Sequence, residues 1–78
     1  MITQAAVLFN GKVYVGKRHA DAIRACATDN PDCYISGKDQ GFITDDGRFV
    51  SRAEAAQIAF ECGQISKKVS ILLSEDIY

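Results

Sequence analysis

The chain has no tryptophan, a single histidine, a single proline and 3 cysteines. One histidine rules out sites built from several imidazoles. Cys26, Cys33 and Cys62 are odd in number and never spaced C-x-x-C, so neither a disulfide framework nor a closed zinc site is expected and the thiols read as reduced. Charge of one sign is also missing: 9 Lys and Arg stand against 10 Asp and Glu, for a net charge of -1. No basic stripe is left to neutralise duplex phosphates, which argues against sequence-specific DNA binding. The longest apolar run, Ala5 to Phe9, is far short of the ~20 residues that cross a bilayer, and secretion is not expected from the residues at hand. No membrane partner is expected. The glycines form neither G-x-G-x-x-G nor a Walker loop. At 78 residues the chain makes one domain, 1–78, close to the size at which a core needs staples, metals or partners. Homo-oligomerisation is therefore expected.

What is present begins with "QAAVLFNGKVYVG", in which two β-rich runs flank Asn10-Gly11, a pair suited to the positive φ values of a type I′ turn. A hairpin over residues 4–16 follows. Its two-residue loop sets Phe9 against Lys12 and Val7 against Tyr14 on one face, and Leu8 against Val13 and Ala6 against Val15 on the other. Both faces are largely apolar, and a chain this small is expected to cover the second with another subunit.

"HADAIRACATDN" spaces Ala22, Ile23, Cys26 and Ala27 for one helical face, with Asp21 in the first turn and Asn30-Pro31 as the stop. A short strand is expected at Cys33 to Ser36. "GFIT" and "RFVS" flank Asp45-Asp46-Gly47, a second hairpin whose loop uses Gly47 in the left-handed conformation. Ser51 and Glu54 form S-x-x-E, a capping box ahead of "AAQIAFECG", and Gly63 ends that helix. "VSILL" supplies an expected strand, Val69 to Leu73. The fold class is α+β: a small antiparallel sheet, made of the N-terminal hairpin, the central hairpin and the C-terminal strand, packed with two short helices.

Chemistry is sparse. A His19–cysteine pair fails as nucleophile and base because Cys26 and Cys62 face expected cores, and Asp45-Asp46-Gly47 lacks the rest of a calcium loop. No catalytic residue, metal site or cofactor is assigned. Cations and aromatics at element ends remain. Lys17, Arg18 and His19 precede the first helix, where backbone N–H groups and cationic side chains together hold anions, the bland alternative being a solvated basic turn. Phe42, after Gly41, either anchors its loop or stacks on a base, whereas Phe49 reads as core. Arg52 starts the second helix. Lys67 and Lys68 serve a phosphate or nothing.

"GKRHADAI", "QGFITDDGRFVSRAEAAQIAFECGQI" and the closing "LLSEDIY" together resemble a family of short phage and prophage proteins with a Q-G-F-x-T-x-x-G-x-F-V-x-R-x-E-A-x-x-I-A-x-x-x-G-Q-I block and a terminal S-E-D motif. The chain is also similar to the Thoeris anti-defence sponge proteins, which bind ADP-ribose-type cyclic signals or cyclic oligonucleotides without cleaving them. That similarity implies a non-enzymatic protein acting in the cytoplasm of a bacterial host, with a cyclic nucleotide as ligand. The candidate ligand residues are Arg18, His19, Phe42, Arg52 and Lys68. An alternative of another class is an anti-CRISPR protein that inhibits an RNA-guided effector complex by protein–protein binding, with Asp29, Asp32, Asp39, Asp45, Asp46, Glu75 and Asp76 as its acidic surface.

Overall fold

The computed structural model describes residues 1–77. Four strands, β1 (Ile2–Phe9), β2 (Lys12–Gly16), β3 (Gln40–Thr44) and β4 (Phe49–Ser51), form an antiparallel sheet in the order β2-β1-β3-β4. Two helices, α1 (His19–Asp29) and α2 (Arg52–Glu61), follow β2 and β4. The fold class is that expected of the sequence.

The first hairpin has the expected register, Phe9 facing Lys12, Leu8 facing Val13, Val7 facing Tyr14 and Ala6 facing Val15. Asn10 and Gly11 carry φ values of 52° and 76°, both positive as a type I′ turn requires. In the second hairpin the Gly47 N–H donates to the Thr44 carbonyl at 2.9 Å with Gly47 at φ 82°. Asp45 and Asp46 belong to that turn: Thr44 Oγ1 donates to Asp46, and the N-terminal ammonium pairs with Asp45 at 3.3 Å.

Alternation along the strands divides the sheet into two faces. One face is covered by both helices. Ile2, Ala5, Phe42 and Val50 meet Ala55, Ala56, Ala59 and Leu72 in a core under α2, and Val7 and Tyr14 meet Ala22 and Cys26 under α1. Alanines at the contact let α2 lie close to the sheet. On the opposite face Leu8, Ile43 and Phe49 are half-buried, while Val13 and Val15 are 38 % and 41 % exposed. Among the described residues no helix covers it. Gly41 lies on that side; a Cβ there would come within 2.7 Å of the Phe49 ring, so the glycine lets the phenylalanine lie across β3.

Both helices are closed by side chains and turns. Asp21 accepts the Arg18 N–H at 3.2 Å, and Asn30 Nδ2 ties the end of α1 to the Tyr14 hydroxyl at 2.9 Å. At α2 the Ser51 hydroxyl accepts the Glu54 N–H at 3.1 Å. The reciprocal half of the expected capping box is replaced, since the Glu54 carboxylate lies 3.4 Å from Arg48 Nη1. Gly63, at φ 82°, donates to Phe60 O and Gln64 donates to Ala59 O, the bond pair of a Schellman stop. The Gln64 amide then grips the start of β1, accepting from Ile2 N at 2.6 Å and donating to Ile2 O at 2.9 Å.

Two expected strands are corrected. Cys33 to Ser36 is a connector that follows a turn, with Cys33 N donating to Asn30 O at 2.8 Å, and it leads into a 3-10 turn at Gly37–Asp39. Its Cys33 and Ile35 pack on the α1 cluster, so burial holds it without a ladder. Val69 to Leu73 is likewise no strand. It drops Leu72 fully into the core, where Leu72 N donates to Arg52 O at 2.9 Å, and leads into a second 3-10 turn at Ser74–Asp76. Its β-type composition served side-chain burial instead of strand pairing. The last residue of the "LLSEDIY" motif, Tyr78, lies outside the described residues.

Candidate functional site

The start of α1 and the start of α2 converge on β3. His19, the first residue of α1, is 8 % exposed, and its Nε2 donates to the Gly41 carbonyl at 2.7 Å. A carbonyl only accepts, so Nε2 carries the proton. The ring meets Phe42 edge-on, with centroids 4.7 Å apart at 69°. Burial lowers the His19 pKa from the ordinary imidazole range; the bond to Gly41 opposes that shift, and the Arg52 charge adds to it.

Arg52 lies at the first position of α2, half-buried, with its guanidinium laid over Gly37. A Cβ at Gly37 would sit 2.8 Å from Nη2, so the bare backbone there makes room for the cation. Arg52 borders a cleft of ≈ 180 Å³ that is also lined by Lys38, Gln40, Ser51, Ala53 and Ile71. Ala53 is shared with a second hollow of ≈ 440 Å³ along α2, lined by Gln57, Phe60, Glu61, Lys68, Val69 and Ser70. Ala53, Gln57, Phe60 and Glu61 recur at helical spacing, so the two hollows run along one side of α2, from Arg52 to Phe60 over about 12 Å at 1.5 Å per residue. Each hollow has a cation in its lining, Arg52 and Lys38 in the first and Lys68, beside Glu61, in the second. Phe60 is 42 % exposed within it.

Of the five candidate ligand residues, His19, Phe42 and Arg52 are brought together. Their roles divide. Phe42 is fully buried, which corrects its reading as a stacking ring: it anchors β3 in the core. His19 is committed to Gly41. Arg52 alone of the three lines a cleft. Arg18 is the N-cap of α1, its carbonyl accepting from Asp21 and Ala22, and it lines neither hollow. Lys68 lines the second hollow, which meets the Arg52 cleft at Ala53.

Sequence reasoning missed Lys38 and Phe60. Lys38 was passed over because its neighbours become known only once Gly37 is seen beneath Arg52. Phe60 was passed over because alanines surround that helix on several sides and leave the outward residue undefined.

Fold and site together define a small α+β domain with a shallow cationic surface and an aromatic beside it. The family model for the phage T4 y16D protein matches residues 1–78, and the chain belongs to that family. No curated protein and no solved structure matches it.

Proposed function

We propose that this phage protein is a non-enzymatic binding protein that captures a cyclic nucleotide immune signal, of the ADP-ribose or oligonucleotide type, inside the bacterial host. The observation that carries the reading is the α2 surface: Arg52 and Lys38 line one hollow, and Lys68 and the exposed Phe60 line the hollow that adjoins it. Guanidinium and ammonium groups pair with phosphate oxygens, and a base stacks on the phenylalanine. Size favours use of both hollows, since the Arg52 cleft of ≈ 180 Å³ falls below the range of about 300–1,000 Å³ for small-molecule sites and takes only a phosphate end. Holding the ligand requires no general base, and His19 is already hydrogen-bonded to Gly41. Assembly of copies through the open sheet face belongs to the same reading, because it covers Val13 and Val15 and makes the capture surface multivalent.

The test is incubation of the purified protein with extract from cells whose defence has been triggered, then heat release and mass spectrometry of the retained small molecules. A nucleotide recovered from the unmodified protein and lost from Arg52→Ala supports the reading; an empty eluate contradicts it. A second reading, inhibition of an RNA-guided effector complex by protein contact, draws on the same open face of Leu8, Val13, Val15, Ile43 and Phe49. It calls for co-purification of that complex and for sensitivity to Val13→Asp in place of Arg52→Ala.

A further inference from the structure

Cys26 and Cys33 stand apart from the α2 surface and from each other by seven positions of chain, yet they share one site. Cys26 is on the buried face of α1 and is fully buried; Cys33 is half-buried and packs on the same cluster, with Val7, Tyr14 and Ala22. The backbone explains the meeting. Asn30 N donates to Cys26 O at 2.8 Å, closing the last helical turn, and Cys33 N donates to Asn30 O at 2.8 Å, closing a turn through Pro31 and Asp32 that brings the chain back over α1. Asn30 Nδ2 braces both ends by donating to Cys26 O at 3.2 Å and to the Tyr14 hydroxyl at 2.9 Å. Cys33 thus packs against the cluster that holds Cys26, and the two thiols belong to one small apolar site.

We propose that Cys26 and Cys33 are a reversible dithiol–disulfide pair, reduced at rest and oxidised by small disulfides such as oxidised glutathione. The half-buried Cys33 is the sulfur an oxidant reaches. Its thiolate attacks one sulfur of the glutathione disulfide, the S–S bond breaks, and one glutathione thiolate leaves. Cys26 then attacks the Cys33 sulfur of the mixed disulfide, and its proton passes to the second glutathione, which leaves as the thiol. Two protein thiols have lost two electrons and two protons, and one glutathione disulfide has become two thiols. Burial of Cys26, together with the neighbouring Cys33, raises its thiol pKa, which keeps it protonated and unreactive until the mixed disulfide is beside it. The bond staples the connector that enters Gly37–Lys38, at the edge of the Arg52 cleft.

The test oxidises the whole protein with glutathione disulfide and counts thiols. The 3 free cysteines should fall to one in the unmodified protein and to none in Cys62→Ser, with an intact mass lower by about 2 Da wherever Cys62 is absent or unmodified. Tryptic peptide 25–38 holds both cysteines without an internal lysine or arginine, so the cross-link reads as that peptide becoming lighter by about 2 Da. Melting should rise by about 5–15 °C and return on adding dithiothreitol. Cys33→Ser, at a half-buried position, should keep the reduced fold and abolish the cross-link. Persistent glutathione on Cys33 without closure, or dimers linked through Cys62 with peptide 25–38 still in its dithiol form, would overturn the proposal.

Discussion

Replacing Leu72 with alanine tests how the C-terminal segment is held. Leu72 is among the largest fully buried side chains and packs on Ala55, Ala56 and Ala59 beneath α2, while its N–H donates to Arg52 O at 2.9 Å. Its neighbours Ile71 and Leu73 are 42 % and 36 % exposed. A buried leucine cut to alanine loses transfer energy and leaves a cavity, together about 2–5 kcal/mol. For 78 residues at about 0.05–0.15 kcal/mol each, total stability is about 4–12 kcal/mol, so the loss takes about a sixth of it at the least. Taken as about 3 kcal/mol, it lowers the melting temperature by about 12–24 °C. Ile71→Ala removes a side chain with much of its surface already in water and should cost about 1 kcal/mol or less. Urea melts of both variants decide the matter. Equal losses at Leu72 and Ile71, or a larger one at Ile71, would refute the burial pattern and the assignment of this segment as a core anchor.

Below about pH 6.5 the fold should weaken. The unfolded chain protonates its histidine near that value, whereas buried His19 takes the proton only at lower pH; between the two the unfolded state binds more protons, so stability is fully present above pH 6.5 and falls as pH drops toward the folded pKa. His19→Gln, which retains an N–H donor for Gly41, should flatten the slope in denaturant melts from pH 7 to 5. Ser51→Ala should cost about 0.5–1 kcal/mol in the same melts, at the low end for an N-cap because only one of the two capping-box bonds is made. Asp45→Asn combined with Asp46→Asn should leave calorimetric ligand binding unchanged, since both carboxylates serve a turn and line neither hollow of the α2 surface; a loss of binding would move the site to that turn.

The local code was readable where one residue type suits one backbone conformation. Asn10-Gly11 set a type I′ turn and with it the whole register of β1 and β2; Gly47 and Gly63 set a loop and a helix stop. Tertiary preferences were harder. Val69 to Leu73 has the composition of a strand, yet burial of Leu72 used it otherwise, and the connector at Cys33 to Ser36 is held by packing that no local pattern records. At the candidate site, Arg52 was singled out by the family resemblance and by its place at a helix start, and it lies in the lining of a cleft. Phe42 was misjudged as a stacking candidate because a phenylalanine beside a glycine looks the same whether it points into the sheet core or out of it. Phe60 was overlooked for a related reason: the alanines of α2 define no single apolar stripe, so its outward face depended on where the sheet lay.

Calorimetry with cyclic ADP-ribose-type and cyclic oligonucleotide ligands on the unmodified protein, Arg52→Ala and Phe60→Ala tests the capture reading most directly. A hydrogen-bonded charge contact is worth about 1.5–3 kcal/mol, so Arg52→Ala should weaken binding by about 10–150-fold. A lost stacking contact of about 1–3 kcal/mol makes the Phe60→Ala loss comparable. The melting curves of both variants should stay close to that of the unmodified protein. Failure of the unmodified protein to bind any of these nucleotides, or undiminished binding by both variants, would contradict the account.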